Sequence, residues 1–65
     1  MSESDSKYDL LTTRLLQRLN GFILGIGIDE IKARDIVRRA IADMPEAVEE
    51  DIEAKARAWM LIALA

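Results

Sequence analysis

The chain of 65 residues carries a formal net charge of −3, is 51% hydrophobic and contains neither cysteine nor histidine. The missing residue types exclude disulfides and the usual zinc sites, and the acidic balance disfavours nucleic acid, because phosphate binding needs a basic surface. A domain of this size buries only about 60% of the surface that its unfolded chain exposes. We therefore expect a second copy of the chain, or another protein, to cover the excess apolar surface.

The first six residues are polar and acidic, and we predict that residues 1–6 form a flexible tail. This start is unlike a signal peptide, in which a basic segment precedes an apolar one. The longest uncharged apolar runs cover residues 21–28 and 58–65. Both runs are shorter than the ~20 residues that a membrane span requires. We expect a soluble cytoplasmic protein with no membrane contact.

The first predicted helix covers residues 7–24. Its apolar side chains recur at intervals of three and four, which is the pattern of a helix that buries one face. This stripe consists of Tyr8, Leu11, Leu15, Leu19, Phe22 and Ile23. Leu10 and Leu24 lie off the stripe and are candidates for a second contact. Gly25 is predicted to end the helix, because glycine readily adopts the left-handed conformation found at helix C-termini. Gly21 is predicted to admit a close neighbour, either the next helix or a second subunit.

The second predicted helix covers residues 29–43, with the carboxylate of Asp29 as its N-cap. The preceding turn contains Ile26 and Ile28 and should therefore be buried or covered. The buried stripe of this helix consists of Ala33, Ile36, Val37, Ala40, Ile41 and Met44. Ile31 projects away from that stripe, so it either packs against the glycine turn or is exposed for a partner.

The third predicted helix covers residues 45–64. Pro45 ends the preceding helix and suits the first turn of the next one. Asp43 and Glu46 have the spacing of a capping box, and the acids of residues 46–53 favour the positive end of the helix dipole. The predicted core stripe consists of Val48, Ile52, Ala56, Trp59, Ile62 and Ala63. Residues 59–65 are apolar on every side, which predicts that other structure surrounds them.

These patterns predict an all-α, three-helix domain that forms a homodimer, with the first two helices antiparallel and the third packed against both. The end of the third helix should meet a second subunit or a larger protein, and the sequence does not separate these two possibilities. The candidate interface residues are Leu10, Leu24, Ile31, Trp59, Met60, Leu61 and Leu64. No catalytic residue, metal, cofactor or small-molecule substrate is expected, because histidine and cysteine are missing and no acidic cluster has the spacing of a cation-binding loop.

Because catalysis and ligand binding are not expected, the sequence favours a small, non-enzymatic regulator that binds another protein, as an inhibitor or an anti-activator. An acidic face should steer this regulator towards a basic partner, and it consists of Glu46, Glu49, Glu50 and Glu53. The alternative is a helix–turn–helix DNA-binding regulator. Its DNA-contacting residues would be Lys32, Arg34, Arg38 and Arg39. Against this alternative, the second predicted helix would be the recognition helix, and it begins with Asp29 and Glu30, whose charges repel phosphate.

Overall fold

The computed structural model describes residues 3–65 of the chain, with side chains from residue 7 onwards. Within that range it contains four helices: α1 (Glu3–Arg18), α2 (Asn20–Ile26), α3 (Glu30–Asp43) and α4 (Glu49–Leu64). The predicted all-α class is confirmed, but there are four helices rather than three. α1 begins before the predicted start at residue 7 and so overlaps the predicted tail, of which residues 1 and 2 lie outside the described range.

The first predicted helix is divided at Leu19, whose backbone angles are φ −91° and ψ 0°. The hydrogen-bond ladder nevertheless continues across this residue. The Leu19 amide donates to the Leu15 carbonyl at 2.9 Å, and the Ile23 amide donates to the Leu19 carbonyl at 2.8 Å. All three side chains are buried. α1 and α2 therefore act as one nearly continuous rod, which is why a single apolar stripe runs through both.

The turn after α2 is closed by Gly27 rather than by Gly25. Gly27 has a left-handed φ of 74°, and its amide donates to the Ile23 carbonyl at 3.1 Å. The prediction that Gly25 ends the helix is therefore wrong: this residue lies inside α2. Extending the helix to Ile26 leaves Ile28 buried in the turn, as expected for an apolar turn. The predicted cap at the start of α3 is confirmed, because the Asp29 carboxylate accepts a hydrogen bond from the Lys32 amide at 3.3 Å.

The connection between α3 and α4 is longer than predicted. α3 ends at Asp43, immediately before Met44 and Pro45, as the proline indicated. Residues 44–48 form a turn, in which the Ala47 amide donates to the Met44 carbonyl at 3.1 Å, so α4 begins at Glu49 rather than at residue 45. The predicted capping box is wrong, since the Asp43 side chain binds Lys55 of α4 instead.

α3 is the central element and packs against both α1 and α4. It runs antiparallel to α1, since Tyr8 and Leu11 of α1 line a common cleft with Ile41 near the end of α3 and Pro45 just after it. α4 packs mainly along α3 and reaches α1 through side-chain ion pairs, so the predicted packing of the last helix against both others is only partly observed. The buried apolar core consists of Leu15, Leu19, Ile23, Ile28, Ala33, Ile36, Val37, Ala40, Ile41, Ile52, Ala56 and Met60.

Candidate functional site

The core face of α4 differs from the predicted one. Met60 is completely buried, so its predicted role in an interface is wrong. Ile62, which was predicted to enter the core, is 69% exposed. Ala63 and Val48 of the predicted core stripe are exposed as well, and Trp59 is half-buried. The physical reason is that residues 59–65 are apolar in every direction, so their periodicity alone cannot select the buried face.

Apart from the half-buried Trp59, the remaining candidate interface residues are exposed, but they do not form one surface. Leu10 and Leu24 lie on the outer side of the α1–α2 rod, 14 residues apart, which corresponds to about 20 Å along a helix. Ile31, at 79% exposure, projects from α3. Leu61 and Leu64 are exposed near the end of α4.

Ion pairs set the register between α1 and α4. Arg14 binds Glu49 at 2.5 Å, and Arg18 contacts Glu53 at 3.4 Å. These pairs attach the start of α4 to the last turn of α1, whereas the exposed Leu24, Ile31, Leu61 and Leu64 project from three different helices.

A shallow groove between α3 and α4 carries the only tryptophan of the chain. We call it the α3–α4 groove, and it is lined by Ile36, Arg39, Ala42, Asp43, Trp59, Ile62 and Ala63. Its tryptophan is held in place, since the Lys55 ammonium lies 5.2 Å from the centre of the indole ring and also pairs with Asp43. The sequence contained a signal for one wall of the groove, because residues 59, 62 and 63 share a helix face. The other wall depends on the packing of α3.

The predicted acidic face is divided by internal ion pairs. Glu49 contacts Arg14 and Arg18, whereas Glu53 contacts Arg18 and Arg57. The Glu53 side chain is only 12% exposed, so its predicted place on a partner-steering surface is wrong. Glu46 and Glu50 remain exposed. Within the described part of the chain, acidic side chains nowhere gather in a group that could hold a metal ion.

The four basic residues predicted for DNA contact are all exposed on α3. At about 100° per residue they spread over about 160° of the helix circumference, in two pairs. Lys32 and Arg39 form one pair, and Arg34 and Arg38 form the other. Between them lies Asp35, which binds Arg39 at 3.1 Å. The arrangement therefore lacks a single continuous basic face, and the N-terminus of α3 carries two acids.

Comparisons with models of protein families, with curated proteins and with solved structures find no match to this chain. Across residues 3–65, none of the helices combines the length and the apolar character needed to cross a membrane. Function is therefore inferred from the exposed surfaces of α3 and α4.

Proposed function

We propose that the protein is a small, non-enzymatic regulator that binds a larger protein, as an inhibitor or an anti-activator, and that it works as a homodimer. The supporting observation is the end of α4, where Leu61, Ile62 and Leu64 are 52%, 69% and 47% exposed, and where Ile62 lines a groove together with the half-buried Trp59. Clusters of large exposed apolar side chains are typical of interaction sites. Tryptophan is also among the residues that most often contribute strongly to binding energy.

The α3–α4 groove is the proposed binding site for the larger protein. Two packed helices leave a furrow in which a third helix fits by ridges-into-grooves packing, and amphipathic helices bind other proteins in this way. The groove offers Trp59, Ile62 and Ala42 to the apolar side of such a helix. Asp43, which is paired with Lys55, and Arg39 also line the groove, and Glu46 is exposed in the adjoining turn. The exposed Glu46 favours a partner helix with a basic residue at that end.

Substitution of Ala42 tests the groove without altering the core, because this alanine is exposed and lines the groove from α3. Glutamate in A42E should fill the groove, and Arg38, four residues earlier, can pair with it. Leu24→Glu is the control, since it places the same charge on the outer side of α2. Affinity capture followed by mass spectrometry should identify a protein that the native chain and L24E both retain and that A42E loses.

Binding by the purified partner then provides the quantitative test. We expect A42E to raise Kd by about tenfold or more, which corresponds to about 1.4 kcal/mol. L24E should leave Kd within about twofold, because substitutions outside an interface have little effect on binding. Equal affinities of A42E and the native chain would contradict the proposed site.

The alternative function is DNA binding through α3. It is favoured by the exposure of Lys32, Arg34, Arg38 and Arg39. It is disfavoured by their division into two pairs and by Asp29 and Glu30 at the start of the helix. A DNA-binding titration at several salt concentrations separates the two functions, since binding through several phosphates must weaken steeply as salt rises.

A further inference from the structure

α4 has a second apolar stripe on the side that faces away from the core. The buried stripe consists of Ile52, Ala56 and Met60. The exposed stripe, which we call the outer seam, consists of Ala54, Ala58 and Leu61 of α4 and of Ala65, the C-cap residue directly after it. At about 100° per residue, the mean directions of the two stripes differ by about 170°. The seam residues are spaced by four, three and four, which is the a/d spacing of a two-stranded coiled coil.

We propose that two copies of the chain associate through the outer seam, with their α4 helices antiparallel. This inference rests on the proposed function, because it assigns the dimer of that proposal to a defined surface and leaves the α3–α4 groove for the larger protein. The four-three-four spacing is the same when read backwards. A two-fold axis between positions 58 and 61 therefore places every seam residue on a seam residue of the other copy, as an isologous interface requires.

The side-chain sizes match this symmetric arrangement. Ala58 of each copy lies against Leu61 of the other, so a large side chain meets a small one in both central layers. Ala54 lies against Ala65 in the two outer layers, which allows close approach of the helices. Arg57 flanks the seam on one side, and its aliphatic stem can cover the partner's Leu64.

Charge selects the antiparallel direction. Glu50 and Asp51 are exposed at the N-terminal end of α4, so a parallel pair would bring four carboxylates together. With the axis between positions 58 and 61, the two copies of Glu50 are 19 residues apart along the helix axis, or about 28 Å. That separation exceeds the Debye length of about 8 Å at physiological ionic strength. Opposed helix dipoles favour the same direction.

Mass measurement over a concentration series tests the dimer. The molar mass that light scattering gives for the native chain should rise from 7.3 kDa towards twice that value as concentration increases. A58E and L61E should remain monomeric at concentrations where the native chain is dimeric, because each places a charge in the seam. Both positions are exposed, so circular dichroism should show native helix content. A42E and L24E carry the same new charge outside the seam and should still form dimers.

Two results of this experiment would overturn the inference: a native chain that stays monomeric at all concentrations, or a dimer that A58E and L61E leave unchanged. The outcomes also separate this inference from the proposed function. A native monomer that binds its partner through the groove would contradict the homodimer and its seam but would leave the regulatory binding role intact. A dimer that depends on the seam, with no partner protein whose binding A42E reduces, would contradict the regulatory role but leave the seam dimer intact.

Disulfide cross-linking tests the direction, since the chain contains no cysteine of its own. A mixture of A54C and A65C should cross-link under oxidation, because these positions lie opposite each other in the antiparallel pair. A54C alone should not, since its two copies are 11 residues, or about 16 Å, apart along the axis, whereas bridged Cα atoms are rarely more than about 7 Å apart. Cross-linking of A54C alone, or the lack of any cross-link in the mixture, would overturn the antiparallel arrangement.

Discussion

Replacement of Met60 by alanine, compared with replacement of the adjacent Leu61, tests which face of α4 is buried. Met60 is completely buried between the helices, whereas Leu61 is 52% exposed. The two side chains are similar in size, so a difference between the two substitutions reports on environment. In the structure only the first substitution leaves a cavity in the core.

The magnitude follows from burial. Removing the buried part of a methionine side chain loses about 1.5–3 kcal/mol of transfer free energy, and the remaining cavity brings the cost to about 2–5 kcal/mol. A domain of 65 residues has a total free energy of unfolding of about 3–10 kcal/mol. Met60→Ala should therefore remove a large fraction of the stability. Leu61→Ala should cost less than about 1 kcal/mol in the isolated chain, since half of that side chain is already in water.

Urea denaturation followed by circular dichroism measures both values, and the single tryptophan provides a second probe of the same transition. The comparison belongs at low protein concentration, where association does not add to the stability. Unchanged m-values would show that both variants unfold from the same compact state. A larger loss of unfolding free energy for Leu61→Ala than for Met60→Ala would refute this assignment of the buried face of α4.

Two further predictions concern the glycine turn and the ion pairs. Gly25→Ala should stabilise the chain by about 0.5–1 kcal/mol, because glycine is a poor helix former and an added methyl group meets nothing within 4 Å. Gly27→Ala should destabilise it by about 1–2 kcal/mol, because φ is 74° there. Thermal denaturation should therefore shift the melting temperature in opposite directions for the two variants. Equal shifts would contradict Gly27 as the residue that closes the helix. Arg18→Ala should cost about 1 kcal/mol at low salt by removing a partner of the buried Glu53. That difference should shrink at high salt, and a salt-independent loss would indicate lost packing instead.

Local signals predicted the features that depend on neighbouring residues. The helical class followed from the three-four apolar spacing, and the start of α3 followed from Asp29, whose carboxylate binds an amide only three residues away. The end of α3 followed from Pro45 for a similar reason. The exact end of α2 did not follow, because Gly25 and Gly27 can both adopt a left-handed conformation and only packing of the turn selects one of them.

Long-range contacts decided the surfaces. The sequence predicted that Glu49 and Glu53 are exposed acids, yet they bind arginines of α1 that lie 31–35 residues earlier in the chain. The position of these arginines depends on the folded arrangement of α1 and α4, which no local pattern contains. The exposed acidic surface is consequently smaller than the composition suggested.

By itself, the sequence determined that this chain forms helices, where two of their ends lie, and that it has more apolar surface than one face of each helix needs. Only the tertiary structure decided that Met60 enters the core while Leu61 and Ile62 point outwards. The physical reason is that periodicity identifies a buried face only when the opposite face is polar. Where a helix is apolar all round, its contacts with the neighbouring helices make that choice.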